Sequence, residues 1–117
     1  MPDARKILII DDEIDLCRLL EFYFVRKQFE VVIAQDMEEA LVKLRASPPD
    51  VLFLDNNLPG GTGWEVAPRL AAEYPAMQIV LISAFHPQLP KMPESARFHV
   101  IEKPIGFSQL DKLLPQL

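Results

Sequence analysis

The sequence has a single cysteine, Cys17, so no internal disulfide can form. It has only two histidines, His86 and His99, and they are not spaced like ligands, so with one thiol no Cys/His metal cluster is present. Positive charge is in short supply too: 12 Lys and Arg face 17 Asp and Glu, for a formal net charge of −5. That balance argues against nucleic acid or an anionic membrane as a direct partner, since both demand a basic face. No apolar run is long enough to span a bilayer, no signal-peptide pattern opens the chain, and no repeat or low-complexity tract is found. With the lone cysteine, these absences point to the cytoplasm as the expected location. Apolar residues are plentiful, half of the 117, enough for one packed domain over residues 1–117. Proline is abundant at eleven, and Pro87, Pro90 and Pro93 crowd together.

Short apolar runs alternate with amphipathic stretches. Lys6 to Ile10 reads as a first strand and Ile14 to about Lys27 as a helix, with Leu16, Leu19, Leu20, Tyr23 and Phe24 on one face. Glu30 to Ala34 is a second strand. Asp36 and Glu39 have capping-box spacing at the start of a helix running to about Ala46. Val51 to Asp55 is an unbroken apolar run ending in an acid, the pattern of a strand buried on both faces. A loop over Pro59 to Gly63 leads into a helix expected over Trp64 to Tyr74. Pro68 makes its first turn irregular or delays its regular start. Gln78 to Ser83 is a fourth strand. The prolines of 87–93 forbid a regular helix longer than about a turn, so a loop or 3₁₀ turns are expected there, with room for a short helix near Glu94. Phe98 to Glu102 is a fifth strand. Ser108 is the expected cap of a final helix, Gln109 to Leu114, which Pro115 ends. Such alternation predicts an α/β fold: a doubly wound five-stranded parallel sheet with helices on both faces, a degraded fourth helix and a short fifth one. Ligands of such sheets bind beyond the carboxyl ends of the strands.

The strand ends carry the chemistry. The first is followed by Asp11 and Asp12, the third ends on Asp55, the fourth on Ser83, and Lys103 follows the fifth. Three carboxylates gathered at one rim trap a proton or bind a cation. An all-oxygen acidic cluster suits Mg²⁺, or Mn²⁺ in its place. Lys103 can neutralise a phosphate oxygen as a point charge, Ser83 can donate to another, and Asp is a competent covalent acceptor. Together these form a phosphoryl-transfer set, with Asp55 as the nucleophile.

This chain resembles the receiver domains of two-component response regulators and is similar to the single-domain chemotaxis regulators. The resemblance spans nearly the whole sequence. It rests on Asp11-Asp12-Glu13, on Asp55 followed by Leu58-Pro59-Gly60, on Ser83-Ala84 and on Lys103-Pro104 in that order. It implies the flavodoxin-like strand order 2-1-3-4-5. It implies that Asp55 is the phosphoacceptor, that Asp12 binds Mg²⁺ directly and Asp11 mainly through water, and that the backbone carbonyl of Asn57 is a further ligand. Ser83 would swing toward the phosphoryl group, Ala84 would leave room for it, and Lys103 would pair with a phosphoryl oxygen. A cis peptide before Pro104 is implied as well. The implied donor is a histidine kinase or phosphotransfer protein, and a protein target would read an altered surface. The only reaction expected is the chain's own phosphorylation and dephosphorylation.

Two departures stand out. The family's aromatic switch position, three before the lysine, is Val100, with Phe98 one pleat earlier on the same face. The fourth-helix region, part of the family's output surface, is broken by proline. These features leave open a receiver-like interaction module that does not depend on phosphorylation. A metal-dependent phosphatase is a further alternative, though Asp55-Asn56-Asn57 lacks a second carboxylate two residues on. Ile14, Phe22 and Val25 lie off the main apolar face of the first helix, and the resemblance makes that stripe a kinase-docking surface. Trp64 is expected to pack in the core, Cys17 to be an ordinary helix residue, and neither histidine is given a role. The sequence is compatible with a free-standing regulator or the amino-terminal piece of a longer protein.

Overall fold

The computed structural model describes residues 4–58, 61–84 and 89–117. Its centre is a parallel sheet of five strands: β1 (Lys6–Ile10), β2 (Glu30–Ala34), β3 (Val51–Asp55), β4 (Gln78–Ser83) and β5 (Arg97–Glu102). They lie in the order β2-β1-β3-β4-β5, with Ile9 level with both Ile33 and Phe53, and Asp55 level with Ile82. Among the described residues four α-helices accompany them: α1 (Ile14–Arg26), α2 (Met37–Ala46), α3 (Ala67–Glu73) and α4 (Phe107–Leu113). Successive strand residues point to opposite faces, so the sheet divides its apolar residues between two cores. Leu8, Ile10, Leu52, Leu54, Ile79 and Leu81 pack under α2 and α3. Ile7, Ile9, Phe53, Val80 and Ile82 pack under α1 and α4 with Leu20, Phe24 and Leu110. Both β3 and β4 are buried along their whole length, as their unbroken apolar runs imply.

Local chemistry sets the helix boundaries. Asp36 caps α2 by accepting from the Glu39 N–H at 2.8 Å. The return arm of Glu39 accepts from the Gln35 N–H, one residue before the cap. Gly63–Val66 forms a 3₁₀ turn, and the regular helix starts late, with Pro68 in its first turn where its missing N–H matters little. On α1 the buried face centres on Cys17, Leu20 and Phe24, while the expected Leu16 and Leu19 are half-buried at its sides.

Three boundaries correct the sequence expectations. Strand β5 begins at Arg97, where the ladder partner Gln78 already offers pairing, and not at Phe98. Ser108 does not cap the last helix: Gly106 holds the cap position and its N–H donates to Gln109 Oε1 at 3.1 Å. Helix α4 ends at Leu113, and Leu114–Gln116 tightens into a 3₁₀ turn through Pro115. Between β4 and β5, residues 89–96 contain no helix. Glu94 and Ser95 make only a turn, closed by the Ala96 N–H on the Pro93 carbonyl at 3.0 Å. His86 and Pro87, with the rest of 85–88, and the Pro59-Gly60 pair fall outside the described residues.

Candidate functional site

Every strand-end group predicted from the sequence is delivered to the same rim. Asp11 follows β1 directly, is fully buried, and is tied to β2 by its N–H on the Ala34 carbonyl at 3.2 Å. Asp12, next along, is exposed. Asp55 closes β3 and is 2% exposed. One carboxylate oxygen from each of Asp11, Asp12 and Asp55 can be chosen so that all lie within 4.8 Å of one another. Lys103, just past β5, is locked to the end of β4 by its N–H on the Ser83 carbonyl at 2.7 Å. Its ammonium reaches back over the rim, 3.5 Å from Asp11 Oδ2 and 3.5 Å from Asp55 Oδ1. Ser83 is buried beside it at 2% exposure. The Lys103–Pro104 peptide is cis.

The backbone around Asp55 is clamped from one side. The Asn56 N–H donates to the Ile82 carbonyl at 3.1 Å, and the Asn56 carbonyl accepts from the Gly63 N–H at 3.0 Å. Gly63 approaches so closely that a Cβ there would sit 2.2 Å from the Asp55 carbonyl oxygen. Trp64 is buried, and its indole N–H donates to the Leu54 carbonyl at 3.2 Å. Its place in the core was expected; its bond to the residue before Asp55 was not. Asn57 begins a two-residue antiparallel ribbon, Asn57–Leu58 with Gly61–Thr62, and its N–H donates to the Asp55 carboxylate.

These surroundings shape the electrostatics. Burial, and then the neighbouring Asp11 charge, push Asp55 up to about 6 against the pull of Lys103 and the Asn57 N–H. Asp11 is likewise raised, first by burial, despite the N–H of Glu13 on its Oδ1 at 2.8 Å. Burial disfavours the charged form of Lys103, yet its bond to Glu13 and the charges of Asp11 and Asp55 hold it above its ordinary value. Asp11 Oδ2 is buried with no hydrogen-bond partner. Among the described residues its one cation is the Lys103 ammonium at 3.5 Å, which leaves lone pairs on the oxygen open to a further ligand. The all-oxygen donor set fits a hard cation such as Mg²⁺.

The pattern of the response regulator receiver domain matches residues 7–115. The chain belongs to this family. Among curated relatives, the alkaline phosphatase synthesis transcriptional regulatory protein PhoP of Bacillus subtilis is 36% identical over 80 residues. That match covers 68% of this chain and 33% of PhoP, so it spans about a third of that protein. The chemotaxis response regulator CheY4 of Vibrio cholerae superposes with a TM-score of 0.80 at 26% identity, covering 97% of this chain and 98% of that one. The response regulator protein TrrA of Thermotoga maritima, solved in complex with Mg²⁺-BeF, gives 0.82 at 27% identity, covering 97% and 98%. This receiver domain therefore has the family's acidic pocket and its lysine.

The remaining predicted residues lie elsewhere. Ala84 is exposed just beyond Ser83. Ile14, Phe22 and Val25 are 45%, 54% and 52% exposed, well away from the buried face of α1. Phe22 stacks on Phe107 of α4 with ring centroids 6.2 Å apart, so part of the stripe also packs on the last helix. At the aromatic-switch position Val100 is 41% exposed, while Phe98 leans on the core beneath α3. His99 is half-buried on β5, with Nε2 3.1 Å from Gln78 Oε1. Cys17 is buried, its thiol donates to the Asp11 carbonyl at 3.3 Å, and burial pushes it up to about 11. A thiol so held is inert at neutral pH. From sequence, Glu13 figures as the third residue of the Asp11-Asp12-Glu13 run. In the structure Glu13 Oε1 lies 2.5 Å from Lys103 Nζ. Its only sequence signal is its place directly after the acidic pair.

Among the described residues no helix is long and apolar enough to cross a membrane.

Proposed function

We propose that residues 1–117 form one phosphoacceptor receiver domain of a two-component system, in which Asp55 takes a phosphoryl group in a Mg²⁺-dependent reaction. The observation that carries this reading is the buried Asp55 carboxylate with an ammonium 3.5 Å away, shared with an Asp11 oxygen that has no hydrogen bond. A carboxylate oxygen of Asp55 attacks phosphorus. The bond between phosphorus and the donor's leaving atom breaks, and its electron pair goes to that atom. Asp11, Asp12, Asp55 and the Asn57 carbonyl are the residues that would hold Mg²⁺, with Mn²⁺ as a substitute. When bound, the metal supplies positive charge between the acidic rim and the phosphoryl oxygens. Lys103 pairs with one phosphoryl oxygen and the Ser83 hydroxyl turns toward another, while Ala84 leaves the space open. The donor is a histidine kinase or phosphotransfer protein in the cytoplasm. It docks on Ile14, Phe22 and Val25, beside a groove of about 550 Å³ that Phe22, Tyr23 and Phe107 help to line. Phosphorylation then alters a surface read by a protein target.

Incubation with acetyl phosphate and Mg²⁺ tests the reading. The expected result is one phosphoryl adduct by intact mass, absent in Asp55→Asn and absent in EDTA. A folded protein that takes no adduct and binds no Mg²⁺ leaves the phosphate-independent interaction module, which the exposed Val100 and the helix-free 89–96 segment favour. Turnover of small phosphoesters points to the phosphatase instead.

A further inference from the structure

Lys103 is closer to Glu13 than to either carboxylate of the acidic pocket: 2.5 Å against 3.5 Å to Asp11 and 3.5 Å to Asp55. Glu13 is the N-cap residue of α1, but its side chain makes no cap bond and is free to reach across the rim. Its backbone is held in place, since its N–H donates to Asp11 Oδ1 at 2.8 Å. The side chain is 58% exposed, so it takes no part in the core. Around the Lys103 ammonium stand three carboxylates, those of Asp11, Glu13 and Asp55. Two of them belong to the metal-type cluster, and Glu13 is the one left over.

From this arrangement, and resting on the phosphoacceptor reading above, we infer that Glu13 is a positioning residue. It holds Lys103 as a counter-ion in the unphosphorylated protein and must release it when a phosphoryl group arrives. Two physical effects work in the same direction. An ammonium bonded to Glu13 is drawn toward the start of α1 and is partly neutralised before an anion reaches it. The Glu13 charge also repels the incoming phosphoryl oxygens directly. The same charge favours a cation. Removing it therefore favours anion binding without favouring metal binding, a split that a merely structural role does not give.

Calorimetric titration of Glu13→Gln and Glu13→Asp against the wild type tests this, with Mg²⁺ alone and with beryllofluoride at saturating Mg²⁺. A half-exposed pair of this kind carries an effect of up to about fivefold. Glu13→Gln is expected to bind beryllofluoride up to about fivefold tighter and to be phosphorylated by acetyl phosphate correspondingly faster, with Mg²⁺ affinity unchanged or weaker. Glu13→Asp keeps the charge on a shorter arm and is expected to fall between the two. The inference is overturned if Glu13→Gln binds beryllofluoride no tighter than the wild type, if it gains for Mg²⁺ as well, or if the order of the three proteins differs. Wild-type protein that takes no beryllofluoride removes the phosphoacceptor reading and this inference together. Wild-type binding with no gain in Glu13→Gln removes this inference alone.

Discussion

Asp11 and Asp55 lie buried at the strand-end rim, whereas Phe22, Val25 and Phe107 on the α1–α4 flank stand about half exposed. The rim keeps charge where solvent cannot reach it, and both aspartates are raised, first by burial. The flank keeps apolar rings where solvent can: Phe22 is stacked on Phe107, and the Arg26 guanidinium lies 5.1 Å from the Phe22 ring centroid. One region holds polar groups in a place that opposes folding, and the other leaves apolar surface uncovered. Each departs from the usual partition in the direction its proposed role requires, a cation and a phosphoryl group at the rim and a protein at the flank.

Substitutions can break that contrast, and the largest effect is expected at the clamp. Gly63→Ala puts a Cβ against the Asp55 carbonyl, a backbone atom that cannot step aside. Urea denaturation should show a loss of about 3 kcal/mol, the upper part of the usual range for overpacking. A loss under about 0.5 kcal/mol would mean that the Gly63 turn moves freely relative to β3.

Asp55→Asn should act in the opposite sense. With its folded value pushed up to about 6 from an ordinary 3.8, this carboxyl favours the folded state most below the unfolded value. That contribution is lost as pH rises through 6. In EDTA at pH 7 the Asn variant should therefore be more stable than the wild type by on the order of 1–3 kcal/mol, with the gap closing toward pH 4. Mg²⁺ should narrow the gap at pH 7 by stabilising only the protein whose site binds it. A gap independent of pH would contradict the buried charge.

On the flank the effects are smaller. Tyr23 is buried and its hydroxyl donates to Asp111 Oδ1 at 2.6 Å, joining α1 to α4; burial and then that bond push it up to about 12. Tyr23→Phe should lower stability by about 1 kcal/mol, with no change in labelling by acetyl phosphate. Phe22→Ala should alter stability least, within about 0.5 kcal/mol, as befits a half-exposed side chain. It should nevertheless slow phosphotransfer from the partner kinase while leaving acetyl phosphate labelling intact. Equal transfer rates would remove Phe22 from the docking surface.

Much of the fold is legible because its signals are local. Four of the five strands match their expected bounds, since each is a β-branched or apolar run that stops at or just before a polar residue. Asp36 announces α2 through its spacing to Glu39, and Pro90 and Pro93 announce the helix-free stretch described over 89–96. The last helix was harder to place. Ser108 is the usual capping residue, but Gln109, reaching back to the Gly106 N–H, serves a cap two residues earlier. Cys17 was assigned no packing role from sequence, yet it sits at the centre of the α1 face between the flanking leucines.

The sequence by itself determined the alternation of strands and helices and the identity of the groups at the strand ends: Asp11, Asp12, Asp55, Ser83 and Lys103. Such information resides in periodicity and in residues only a few places apart. Only the tertiary structure decided how those groups are held. Gly63 must lack a side chain because the Asp55 carbonyl lies against it, and Trp64 binds the Leu54 carbonyl. Glu13, and not a member of the acidic pocket, is the nearest partner of Lys103. These are contacts between atoms brought together by a folded sheet, between Glu13 and Lys103 across 90 residues of chain, and no local pattern encodes which of several neighbouring carboxylates a long ammonium side chain will reach.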